Sequence, residues 1–146
     1  MSSRAMATLL DTNVVSELIR RSPEPAVAAW VSGHLVEDLF FSAVSEAELR
    51  YGVAILPVGR RRDTLSFEIE AMLRDAFEDR VLPFDSDAAR AYGQIAAKRR
   101  SSGRPVSPAD CQIAAIAASR RMTVATRNVR DFEGMGIEIV DPWATT

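Results

Sequence analysis

Ala7-Thr8-Leu9-Leu10-Asp11-Thr12-Asn13-Val14-Val15-Ser16-Glu17-Leu18-Ile19 is the stretch on which the fold turns. The apolar run to Leu10 has the length of a buried strand and stops on a carboxylate, whereas the residues from Thr12 onward switch to helical spacing. A strand therefore runs directly into a helix. Outward from this unit the alternation repeats. Pro23 and Pro25 open a helix through Ala26, Val27, Trp30 and Val31 that ends at Gly33. Residues 39–43 read as the next strand, after which Ser45 caps a helix through Leu49, Val53 and Leu56 that stops at Pro57. Beyond a turn at Gly59-Arg60-Arg61-Arg62, the stripe Leu65, Ile69, Met72, Leu73, Ala76 and Phe77 marks an amphipathic helix. Residues 81–84 form a third strand, and Ala88, Ala91, Tyr92, Ile95 and Ala96 a helix that fades into a loop at 101–105. Ser107-Pro108 starts a helix with Ile113, Ile116 and Ala117, and residues 122–126 and 137–140 complete the strands. This pattern predicts an α/β fold with a mostly parallel central sheet of four to five strands and helices on both faces. In such sheets ligands bind outside the carboxyl ends of the strands.

The chain has 146 residues, which suits a single domain over residues 1–146 that buries roughly 68% of its unfolded surface. A single cysteine, Cys111, and a single histidine, His34, leave no internal disulfide and no ligands for a structural zinc site. The longest apolar stretch near the amino end, residues 6–10, is too short for a signal-peptide core or membrane span, so a cytoplasmic, membrane-free protein is expected. A net charge of −2 argues against binding duplex nucleic acid through a bulk positive field. Lys98 is the one lysine among eighteen bases and Asn13 and Asn128 are the only asparagines, a bias that fits a GC-rich genome. That bias draws attention to the two asparagines that remain.

Four carboxylate positions invite chemistry, and each also has a purely structural reading. Asp11 at the strand end faces the ligand crevice or caps the following helix. Glu48 follows Ser45 at capping-box spacing, and Asp110 lies in the first turn of a helix begun by Ser107-Pro108. The stretch 126–131, Thr-Arg-Asn-Val-Arg-Asp, is a polar turn after a strand. Asp11, Glu48, Asp110 and either Asn128 or Asp131 are all expected at one rim. Carboxylates gathered without countercharge repel one another, which points to a hard divalent cation held by oxygen ligands. Other chemistries lack their parts: no Ser or Cys motif pairs with His34, Cys111 reads as a small core residue, and the glycines do not form a phosphate-binding loop. Arg60-Arg61-Arg62 reads as a solvated helix start, with contact to RNA or an acidic partner as the alternative.

Together, residues 9–17 (LLDTNVVSE), 47–52 (AELRYG), 109–115 (ADCQIAA) and 124–128 (VATRN) resemble the PIN-domain ribonucleases, and within them the VapC and FitB toxins of bacterial toxin–antitoxin pairs. The likeness runs from about Leu9 to Trp143. It implies a metal-dependent endoribonuclease whose acidic pocket takes magnesium or manganese, with Asp11, Glu48 and Asp110 matching the three central acids. The fourth acidic position falls on Asn128, with Asp131 three residues on. Thr12, Asn13 and Thr126 match polar residues that line such pockets. The resemblance also implies a homodimer, an RNA substrate, a small antitoxin that covers the site, and operator DNA bound only through that antitoxin.

Two other functions compete. A haloacid-dehalogenase-type phosphatase also begins with a strand ending in Asp, yet it wants a second Asp where this chain has Asn13. A catalytically silent PIN-like scaffold would need no acids, and here the acids are intact.

Overall fold

The computed structural model describes residues 7–144 of the chain; the start of the apolar stretch at residue 6 lies outside them. Five short strands, β1 (Thr8–Leu10), β2 (Leu39–Ser42), β3 (Val81–Leu82), β4 (Thr123–Ala125) and β5 (Ile139–Val140), form one sheet in the order β3-β2-β1-β4-β5. All four strand pairings are parallel. β1 is central, and its Leu10 is in register with Ala125 of β4. The next residues of the two strands, Asp11 and Thr126, thus emerge side by side at the carboxyl edge. The backbone N–H of Asp11 donates to Ala125 O (2.9 Å), and that of Thr126 to Val140 O (2.9 Å).

Seven helices connect the strands among the described residues: α1 (Thr12–Leu18), α2 (Pro25–Ser32), α3 (Ala43–Ala54), α4 (Arg60–Asp75), α5 (Ser86–Ser101), α6 (Pro108–Ser119) and α7 (Val129–Phe132), with a 3₁₀ turn at Val36–Asp38. The two-residue period of a strand sends successive side chains to opposite faces. Leu9 and Val124 accordingly pack against α5 and α6, whose Ala88, Ile95, Cys111 and Ile113–Ala117 are buried. Leu10, Phe41 and Ala125 pack on the other side with Val14, Val15, Val27, Leu49 and Ile69 from α1 to α4. A sheet covered on both faces is the architecture that parallel strands require.

Several local expectations are corrected. The cap of α3 is Ser42, not Ser45: Ser42 Oγ accepts from the Ser45 N–H at 3.0 Å, and Ser45 is itself helical. Glu48 is therefore in the second turn, away from the helix start. Residues 60–62 form the first turn of α4 rather than a turn before it. The strands at 81–84, 122–126 and 137–140 are trimmed to two, three and two residues. Asp131 lies in α7, a helix that the polar composition of 126–131 conceals.

Candidate active site

Asp11 is 5% exposed and is bonded through both oxygens. Oδ1 accepts from the Thr12 N–H (2.8 Å) and Oδ2 from the Thr126 hydroxyl (2.8 Å). The capping role and the crevice-facing role of Asp11 are thus fulfilled by one side chain. Thr126 is fully buried, and its hydroxyl oxygen also accepts from the Asn128 N–H (3.0 Å) and Asn13 Nδ2 (3.5 Å). Asn13 Oδ1 in turn accepts from the Arg127 N–H at 3.3 Å. Glu48, exposed on α3, is tied to the end of β1 because Thr12 Oγ1 donates to its Oε1 at 2.5 Å. Asp110 is tied to the start of α6: its N–H donates to Ser107 Oγ at 3.2 Å as part of the helix cap, and the Ser107 side chain also bonds its carboxyl.

These residues share a cleft of about 630 Å³ lined by Asp11, Thr12, Asn13, Glu48, Asp110 and Asn128. Asp131 does not line it, although its charge reaches Asp110. Burial is the main cause that lifts Asp11 from 3.8 to about 6; the bonds from Thr126 and Thr12 oppose it, and the charges of Asp110 and Glu48 add to it. Asp110 is also pushed up, chiefly by burial and then by the charges of Asp131 and Glu48, against the bond with Ser107. Among the described residues, none of the ion pairs involves Asp11, Glu48 or Asp110. Nor do any three acidic, His or Cys side chains among them close on a common point as a finished ligand set.

The donor set nevertheless fits a hard cation. Magnesium keeps several waters and needs only one or two carboxylates, and mutually repelling carboxylates in partial burial gain most from a divalent countercharge. The phosphatase alternative fares worse, because Asn13 stands where that chemistry requires a second carboxylate and its amide is already bonded to Thr126 and Arg127.

Arg20, Arg61, Arg127 and Trp143 also line the cleft; of these only Arg61 is singled out by the sequence, in the Arg60-Arg61-Arg62 run with its alternative of contact to RNA. Topology carried the missing signal, since β5 pairs with β4 and a residue just past Val140 must come out on the rim that holds Thr126 and Arg127. His34 is elsewhere, beyond the end of α2, with its ring tilted against that of Trp30 at a centroid distance of 4.2 Å. Cys111 is a buried core residue.

A PIN-domain family model matches residues 8–137. A VapC ribonuclease of Sinorhizobium fredii is 43% identical over 135 residues, covering 92% of this chain and 96% of that protein. Toxin FitB of Neisseria gonorrhoeae is 39% identical over 135 residues, covering 92% of this chain and 97% of that one. The solved structure of FitAB bound to an IR36 DNA fragment superposes with a TM-score of 0.89 at 38% identity, over 95% of this chain and 97% of that chain. With its parallel sheet, its acidic cleft at the β1/β4 edge and a family match over nearly its whole length, the chain belongs to the PIN-domain family, alongside the VapC and FitB proteins.

Proposed function

We propose that the protein is a divalent-metal-dependent endoribonuclease, the toxin of a toxin–antitoxin pair. The observation that carries this reading is the meeting of Asp11, Glu48 and Asp110 in one cleft with no Arg or Lys paired to them. Likeness to a VapC ribonuclease and to toxin FitB supports the substrate class and the biological role. Asp11 and Asp110 would hold magnesium or manganese. When bound, such an ion supplies an activated water and neutralises charge on the phosphate under attack.

The chain's own residues orient that chemistry. Thr126 fixes the Asp11 carboxylate from behind, and Thr12 fixes Glu48, so Glu48 stands ready to accept a proton from attacking water. Asn128, exposed in the cleft with its side chain free of capping duty, orients a ligand without adding charge. A cytoplasmic homodimer restrained by a small antitoxin, through which operator DNA is bound, belongs to the same reading. Exposed Tyr51 on α3, Ile55 at its carboxyl-terminal cap and Phe67 on α4 offer apolar surface for such contacts.

The purified protein is expected to cleave single-stranded RNA with magnesium or manganese, to stop in excess EDTA, and to have a dimer's mass by light scattering. Cleavage that persists in EDTA, or no cleavage of any RNA, contradicts the assignment. Asn128→Asp should tighten divalent-ion binding by about tenfold in calorimetry, because a carboxylate at the cleft adds direct attraction. Asp131→Asn, outside the lining, should change affinity far less; the reverse pattern would place the fourth ligand at Asp131.

A further inference from the structure

Besides Asp11, Glu48 and Asp110, the cleft is lined by Arg20 with its partner Glu17, by Arg61, and by Arg127 and Trp143. The last two form a cation–π pair: the Arg127 guanidinium carbon lies over the Trp143 ring, 5.2 Å from its centroid. Both members are held from below. Arg127 is anchored through its backbone N–H to Asn13, and Asn13 connects through Thr126 to Asp11. Trp143 follows Pro142, which is fully buried, in a turn where the Trp143 N–H donates to Asp141 Oδ1 at 2.9 Å and the Ala144 N–H donates to Asp141 O at 3.1 Å.

The Arg127 backbone is thus tied to the acidic centre and Trp143 to its own turn, while both side chains line the cleft. Trp143 is only partly buried, and Arg127 is exposed. Arg20 is bonded to Glu17. Arg61 and Arg127 have no carboxylate within ion-pair distance among the described residues, although the charges of Glu17 and Arg127 reach one another. A cation over an aromatic face, with Arg61 beside it in the cleft, suits a polyanion that carries flat rings. Unstacked bases are recognised on aromatic and Arg planes, while Arg groups track the phosphates. We infer that Arg127 and Trp143 form a base-stacking subsite that seats a nucleotide next to the scissile phosphate of a single-stranded RNA, with Arg61 contacting its backbone. The inference rests on the nuclease reading above and adds to it where the substrate lies.

Trp143 also packs on the core beneath it, so its bulk and its aromatic face must be separated. Trp143→Phe keeps a ring, and Trp143→Leu keeps apolar volume without one. One base stacked on an aromatic side chain is worth about 1–3 kcal/mol by substitution, so Trp143→Leu should raise KM for a short oligoadenylate by roughly five- to a hundredfold with kcat little changed. Trp143→Phe should stay near wild type. Binding gives an independent readout. In a Trp30→Phe background Trp143 is the sole tryptophan, and with calcium replacing magnesium its emission should be quenched saturably by oligoadenylate but not by polyphosphate of matched charge.

A folded Trp143→Leu variant with unchanged KM, equal quenching by polyphosphate, or quenching by an arginine-containing peptide alone would overturn the subsite. In each of these cases RNA cleavage by the wild type leaves the nuclease assignment standing. If the wild type cleaves no RNA with any metal, both fall. Should Trp143→Leu fail to melt cooperatively, the fluorescence titration of the Trp30→Phe protein decides alone.

Discussion

Asp11→Asn is expected to lower RNA cleavage by about a thousandfold, the equivalent of roughly 4 kcal/mol of lost stabilisation of the transition state, and at the same time to make the metal-free protein more stable. The opposite signs follow from one feature. Burial holds the Asp11 carboxyl at about 6 against its ordinary 3.8, so between these values the folded chain binds more protons than the unfolded chain and stability falls as pH rises. Above about pH 6 the whole penalty stands. A shift of this size corresponds to at most about 3 kcal/mol. Asparagine removes the charge but also weakens the bond with Thr126, so a net gain of about 1–2 kcal/mol is expected, read as a melting temperature higher by about 3–6 °C at pH 8. Near pH 4 the gain should vanish. Magnesium should then raise the melting temperature of the wild type and leave that of Asp11→Asn almost unmoved. A variant that is inactive but no more stable at pH 8 would show that Asp11 carries no electrostatic strain in the metal-free fold.

The elements legible in the sequence were those whose signal is local. The strand ending at Asp11, the Pro25 start of α2, the stripe of α4 and the Ser107-Pro108 start of α6 each announce themselves through composition or period within a few residues, and each is found in place. Features set by tertiary pairing were not legible. Ser42 takes the cap of α3 because β2 delivers its hydroxyl to the first turn, although Ser45 with Glu48 presents the better capping-box spacing. Residues 126–131 look like a turn because α7 has only four residues, with Phe132 as its sole fully buried side chain. Asp11 and Asp110 are conspicuous as carboxylates at a strand end and a helix start, whereas Glu48 stands out through a capping-box spacing that the fold does not use. Trp143 was overlooked because nothing in its neighbours tells which strand β5 lies beside; only the pairing of Val140 with Ala125 brings it to the cleft.

That same pairing makes Thr126 the residue on which the site's pH dependence should turn. Its buried hydroxyl donates to Asp11 and accepts from the Asn128 N–H and the Asn13 amide, and the bond to Asp11 is the largest of the influences that hold the carboxyl down against burial. Thr126→Val keeps shape and volume but deletes that bond. A hydrogen bond to a charged group contributes about 1.5–3 kcal/mol, so without it the Asp11 carboxyl should rise further above its ordinary value. A metal competes with that proton; apparent magnesium affinity in Thr126→Val should therefore be lost on acidification at a higher pH than in the wild type. Calorimetric titration at pH 6.5 should show affinity reduced by roughly three- to twenty-five-fold, with most of the loss recovered by pH 8.5, and cleavage rates should follow the same course. Thr126→Ser, which restores the hydroxyl, should restore the wild-type profile. Had Thr126 only a packing role, Val would be nearly silent and Ser the harmful change, at every pH alike. A Thr126→Val enzyme whose affinity falls by the same factor at pH 6.5 and 8.5 would separate the threonine from the ionisation of Asp11 and leave it a structural bridge between β4 and the start of α1.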